Sequence, residues 1–168
     1  MTKKYKLTTD TKMLFGHKLF RIQALIDFGN VKAGDLGGYV QKEDNLSHNG
    51  NAWVYDNAKV YGNAEVYDNA KVYGNAEVYG NAEICGDAEV CGDADYLCIK
   101  GLGSYNRNTT FYKTKDNDIG VVCGCFGGTL DEFVAKVKDT HGDTKYAKEY
   151  LAAVEVVKIH FDKEDHNG

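Results

Sequence analysis

Nowhere in the 168 residues is there an apolar run long enough to cross a bilayer, and the opening MTKKYKLTTDTKMLFGHKLF lacks the apolar stretch of about 7 to 15 residues that a secretory signal needs. Both absences lead us to expect a soluble cytoplasmic protein with no membrane partner. An excess of positive charge is missing too: 20 Lys and Arg stand against 25 Asp and Glu, a formal charge of -5. Without a basic footprint to displace counterions from phosphates, direct nucleic-acid binding is excluded as a general activity. The five cysteines are odd in number and have no disulfide-scaffold spacing, which fits free thiols in a reducing compartment.

What the chain has in abundance is one short phrase. In register it reads NAWVYD, NAKVYG, NAEVYD, NAKVYG, NAEVYG, NAEICG, DAEVCG over residues 51–92, with a degenerate NLSHNG before and DADYLC after. Six residues turn an α-helix through about 600°, which would scatter the valines around it, so the period excludes an amphipathic helix. Gly or Asp followed by Asn or Asp at every sixth residue marks corners that tolerate left-handed backbone, so one long flat strand is excluded as well. Short strands alternating with corners make a solenoid with three flat sides, in which residues eighteen apart stack. Strand alternation then turns Val54, Val60, Val66, Val72, Val78, Ile84 and Val90 inward, with the Ala two places before each. His48 holds the same inward position in NLSHNG. Intervening and following residues, Lys59 and Tyr61 among them, face solvent.

Stacking at eighteen residues sets the outer surface. Tyr55, Tyr73 and Cys91 form one column, Tyr61 and Tyr79 a second, Tyr67 and Cys85 a third, while Lys59 falls over Glu77 and Lys71 over Glu89. The tyrosines either cover β surface or, with an exposed Trp53, form a partner or oligomer interface, where such rings are enriched. Residues 1–32 hold seven Lys or Arg against two Asp, whereas Glu77, Glu83, Asp87, Glu89, Asp93 and Asp95 follow one another with no base before Lys100. Those acids make either an ordinary solvated face or a collar that engages a basic protein.

Flanking segments close the solenoid. Residues 1–38 read as an N-terminal β cap, two strands turning at Phe15-Gly16-His17, and the repeats as a β-helix over 39–98. GLGSYNRN, residues 101–108, has linker chemistry. Residues 105–162 read as a ββαα domain. Its hairpin turns around Asp116-Asn117-Asp118, its first helix opens at a Thr129–Glu132 capping box, and Leu130, Phe133, Val134 and Val137 line that helix. The second helix, near 144–161, aligns Tyr146, Tyr150, Val154, Val157 and Phe161. Residues 163–168 read as a disordered tail.

The pattern Val60-Tyr61-Gly62-Asn63-Ala64-Glu65 resembles the hexapeptide-repeat, left-handed parallel β-helix family. IDFGNVKAGDLGGYVQKEDNLSHNGNAWVYDNA, residues 26–58, is similar to the opening of a bacterial hexapeptide-repeat family labelled transferases. The whole arrangement, including VVCGCFGGTLDEFVAKVKDTHGDTKYAKEYLAA, is similar to uncharacterised phage and prophage proteins. Phage-type similarity implies a binding protein acting inside a bacterial host cell on a host protein, such as a defence-system component, through the acidic and tyrosine-rich surfaces. The acyltransferase resemblance implies a histidine general base in a cleft between subunits, for which His48 and His17 are the candidates. No loop interrupts residues 51–92 to meet a substrate. A structural adaptor, a dimer or trimer, and a small nucleotide ligand remain open alternatives; no cofactor is expected. Cys123-Gly124-Cys125 sets two thiols on one strand face, short of the four ligands of a zinc site, and reads as free thiols. GLGSYN and CFGGT lack the glycine spacing and Lys of a phosphate cradle.

Overall fold

A computed structural model describes residues 2–162, so the tail expected at 163–168 lies outside the described residues. The fold is mainly β with a small helical part near the C-terminus, and it divides into two compact units, the first running to Asp93 and the second from Ala94. Among the described residues no helix is long and apolar enough to cross a membrane.

The first unit opens with the antiparallel hairpin of β1 (Tyr5–Leu14) and β2 (His17–Ala24). Phe15 and Gly16 both adopt left-handed backbone, φ 47° and 82°, as a two-residue turn matched to the strand twist requires. β3 (Leu36–Val40) pairs antiparallel with β2 and parallel with the repeats, so it passes the chain from hairpin to stack. Arg21 ties the three strands together. Its Nε donates to Asp10 Oδ2 at 3.0 Å, its Nη1 to the Gly37 carbonyl at 3.1 Å and its Nη2 to Tyr39 Oη at 2.9 Å.

Seven two-residue strands follow: β4 (Trp53–Val54), β5 (Lys59–Val60), β6 (Glu65–Val66), β7 (Lys71–Val72), β8 (Glu77–Val78), β9 (Glu83–Ile84) and β10 (Glu89–Val90). Each pairs in parallel with a strand eighteen residues away, β4 with β7 and β7 with β10, β5 with β8, β6 with β9. Val54 is thus the direct neighbour of Val72, and Val72 of Val90. All seven aliphatics and the seven alanines are buried. Each branched side chain so buried contributes about 1.5 to 3 kcal/mol, which makes a continuous core without a large residue inside it.

Corners recur where the turn residues fall. φ is positive at Gly50, Asp56, Gly62, Asp68, Gly74, Gly80 and Gly86, every sixth residue. The two aspartates pay a steric cost there that glycine escapes, and both use their carboxylates to bond the layer above. Asp56 Oδ2 accepts from Gly74 N at 3.0 Å, and Asp68 Oδ2 from Gly86 N at 3.2 Å. Asparagine amides bond across the same interval, Asn51 Nδ2 to Asn69 Oδ1 at 3.2 Å and Asn63 Nδ2 to Asn81 Oδ1 at 3.4 Å.

The first layer departs from the expected register. Leu46, not His48, bridges Val66, and Tyr39 and Val40 pair with Lys59 and Val60, so both intervals are twenty residues. Two extra residues between Leu46 and Val54 push His48 out of the inward position that the letters of NLSHNG assign to it. The N-terminal residues seal this layer. Lys4 and Tyr5 are buried, Lys4 Nζ donating to the Ala52 carbonyl at 2.7 Å and Tyr5 Oη to the Leu46 carbonyl at 2.8 Å. Burial holds the Lys4 ammonium at a pKa of about 8, well below the usual lysine value.

The second unit is a four-stranded antiparallel meander carrying two helices. β11 (Tyr96–Leu102), β12 (Arg107–Lys113), β13 (Ile119–Cys123) and β14 (Phe126–Thr129) lie in sequence order. The expected ββαα domain therefore has two more strands. DADYLC, read as a repeat, contributes Tyr96 and Cys98 to β11, opposite Tyr112 and Thr110; GLGSYNRN, read as a linker, is the turn joining β11 to β12 with parts of both strands. α1 (Leu130–His141) starts where Thr129 Oγ1 accepts from Glu132 N at 3.1 Å, the N-cap half of the expected capping box. α2 (Lys145–His160) packs beside it and buries Tyr150, Val154 and Val157. Phe133 of α1 meets Phe111 and Tyr150 edge-on, with centroids 6.0 and 5.6 Å away.

Candidate binding surfaces

Two of the three expected tyrosine columns are face-to-face ring stacks. Tyr55 and Tyr73 lie 4.7 Å apart at 15°, and Tyr61 and Tyr79 lie 5.3 Å apart at 12°. In the third column burial raises the Tyr67 pKa far above the phenol range, and its hydroxyl reaches Glu83 Oε2 at 3.5 Å. Exposure differs sharply among them. Tyr79 is 52% exposed, Tyr55, Tyr67 and Tyr73 are half-buried, and Tyr61, expected at the surface, is only 7% exposed. The N-terminal hairpin and β3 cause this: His17 lies 5.2 Å from the Tyr61 ring, and Leu19 and Tyr39 pack against it. Burial, followed by the Tyr55 and Glu89 charges, pushes the Tyr73 hydroxyl up to about 12.

Trp53 corrects the expectation more fully. It is 1% exposed, with Phe28 meeting it edge-on at 5.2 Å and Tyr5 at 6.1 Å, so it serves the core of the first layer and offers nothing to a partner.

The acids separate by side. Lys59 and Glu77 are register partners, as are Lys71 and Glu89, so two strand columns alternate in sign. On the remaining side Glu65 and Glu83 are partners, and Glu83 is held above the usual carboxylate range, first by burial and then by Glu65. Negative charge in the strands therefore concentrates on one face. Asp93 is used internally, its Oδ1 accepting from Glu77 N at 2.8 Å; Asp87 is exposed, and Asp95 falls in the second unit, in a short 3-10 helix.

His48 stands beside Glu43, with Nε2 3.5 Å from Oε2, and its Nδ1 accepts from Lys4 N at 3.1 Å. A neutral imidazole whose Nδ1 is an acceptor carries its proton on Nε2, so His48 has no lone pair free to take a proton from a substrate. His17 lies against the Tyr61 ring at a 40° tilt, and among the described residues no carboxylate pairs with it. Cys123 and Cys125 do not share a strand face: β13 ends at Cys123, Gly124 turns with φ 60°, and Cys125 is exposed beyond it.

Side chains to which no repeat or motif points also converge. Arg107, Lys136 and His141 border a cavity of about 220 Å3 in the second unit. They come from a strand start and one helix face, and only the fold brings them together. No protein-family model matches the chain, and no curated protein is significantly similar to it.

Proposed function

We propose that the repeats form a left-handed β-helix of the hexapeptide-repeat kind and that the protein is a phage-type, non-catalytic binding protein acting on a host protein. The partner is basic, and a component of a host defence system fits that description. One observation carries this reading. Tyr55 and Tyr73 stack half-buried in one column, the exposed Tyr79 stacks on buried Tyr61 in a second, and the face carrying Glu65 and Glu83 holds like charges together without a lysine between them in register. Large rings held rigid by stacking lose little entropy on binding, and a single-sign face steers an oppositely charged partner. The bonding of His48 supports no acyl transfer.

The test begins with the basic protein that the chain captures from a bacterial lysate, purified and titrated against it by calorimetry. Tyr73→Ala or Tyr79→Ala should weaken binding roughly thirtyfold, the size of an interface hot spot, and affinity should fall with salt. Unchanged affinity in both variants and in Glu83→Gln sinks the reading. Native mass supplies the competing outcome. If the chain is a dimer or trimer that Tyr79→Ala converts to monomer, the rings serve self-assembly and the protein is a structural adaptor.

A further inference from the structure

The concavity between the β11–β12 and β13–β14 turns and the two helices has a composition at odds with the rest of an acidic chain. No Asp or Glu lines it, whereas Arg107, Lys136 and His141 all do. Among the described residues no ion pair engages any of the three. Glu149, the acid beside Tyr150 on α2, pairs with none of them, its Oε1 accepting instead from Gly103 N at 2.6 Å. Unneutralised basic groups around a hollow attract an anion, and low-dielectric walls strengthen the attraction.

The walls are fixed rather than loose. Phe133, Val137 and Tyr150 at the base are buried. Tyr150 Oη donates to the Leu102 carbonyl at 3.3 Å and lies 3.7 Å from Cys123 Sγ, and that sulfur accepts from Thr109 Oγ1 at 3.2 Å. The His141 ring lies 5.7 Å from the Tyr150 ring at 24°. Two glycines bring backbone against these side chains. A Cβ on Gly124, φ 60°, would strike the Arg107 guanidinium, and one on Gly103, φ 76°, would strike the Tyr150 hydroxyl. Arg107 is held further by the Tyr105 ring, 5.2 Å from its guanidinium carbon.

Size decides what fits. A cavity of about 150 Å3 accommodates benzene, and drug-sized ligands take about 300 to 1,000 Å3. At about 220 Å3 this one suits a single ring or short chain with a charged head and is too small for a dinucleotide. We infer that the cavity is a binding site for a small organic anion, an apolar body resting on Phe133 and Val137 with a carboxylate or phosphate held by Arg107, Lys136 and His141. The site is independent of the tyrosine surfaces and stands whether or not those bind a protein.

Titration of the full chain, followed by amide resonances in two-dimensional NMR, tests this with benzoate, phenyl phosphate, inorganic phosphate and benzyl alcohol. Saturable shifts at Arg107 and Lys136–His141 are expected from benzoate or phenyl phosphate, with binding about tenfold or more weaker for benzyl alcohol, which lacks the charge, and for inorganic phosphate, which lacks the apolar body. Whichever anion binds more tightly identifies the head group. Lys136→Gln, at an exposed position, should weaken binding about tenfold at an unchanged melting temperature. Arg107→Gln should do the same, and His141→Gln replaces it if that variant fails to fold. No saturable shift at millimolar ligand, equal binding of benzyl alcohol, or full affinity in Lys136→Gln and a second folded variant would overturn the inference.

Discussion

The phenol ring of Tyr5 lies flat on the imidazole of His48, with 4.3 Å between centroids and 17° between planes. The hydroxyl of the same phenol shares its one proton between the carbonyls of Leu46 and Glu43, 2.8 and 2.9 Å away, so one side chain fills the space over the first layer and bonds its open edge. Removing the hydroxyl alone, in Tyr5→Phe, should cost about 1 kcal/mol. Tyr5→Ala should cost about 3 to 5 kcal/mol, because it leaves a cavity under His48 and Trp53. Urea unfolding of both variants checks the ratio; equal small losses would mean that the hairpin does not seal the stack.

Alkaline pH should move stability in two directions. Lys4 titrates at about 8 in the folded chain against 10.5 when exposed. Below pH 8 the buried ammonium is a penalty; between the two values the folded form gives up its proton first and stability rises. Tyr5, Tyr67 and Tyr73 have raised pKa values, so their contribution is intact below pH 10 and is lost as pH climbs through their folded values. Urea midpoints from pH 7 to 11 should therefore peak at about pH 9 to 10 and then fall steeply. Lys4→Met should flatten the rise and leave the fall.

Corner glycines should differ although their backbone angles match. Gly50 and Gly80 have φ of 70° and 68°, but a Cβ on Gly50 would come within 2.5 Å of the Asp68 carbonyl oxygen, while at Gly80 nothing lies within 4 Å. Gly80→Ala should cost about 1 to 2 kcal/mol, the left-handed penalty alone. Gly50→Ala should cost more, by at least about 1 kcal/mol, because two layers must separate. Thermal midpoints of the pair separate the two effects.

Thr129 offers a change confined to the second unit. Thr129→Ala removes the acceptor for Glu132 N and should cost about 1 kcal/mol. Hydrogen exchange should quicken in α1 and β14 and stay unchanged at Val54, Val72 and Val90, which belong to the first unit.

Local chemistry explains what could be read from letters alone. Val72 between two alanine-led hexads has one way to point, because strand alternation and a corner every sixth residue leave no other, and Asp68 announces its corner as plainly as Gly74. Leu46 and His48 escaped that logic, since a two-residue insertion inside a degenerate hexad looks like a substitution. Trp53 sits where a repeat presents its outer face, and residues distant in the chain, Tyr5 and Phe28 among them, cover it. The β11–β12 hairpin was hidden by the glycines at its bend, which read equally well as a linker. Arg107 and Lys136 belong to no spacing at all: their meeting is a product of sheet and helix packing.

Asp93 ends the stack in a particular way. In the regular repeats before it the amides of Trp53, Lys59, Glu65 and Lys71 each donate to an alanine carbonyl seventeen residues on, as Lys59 N does to Ala76 O. At the last layer Glu77 N donates instead to the Asp93 carboxylate. A ladder that finishes on a side chain, with a negative charge at its final rung, gives an incoming strand from another molecule no amide to dock on at that point and repels its carbonyls. Fibre growth by end-to-end addition is thus obstructed at this rung by a single residue.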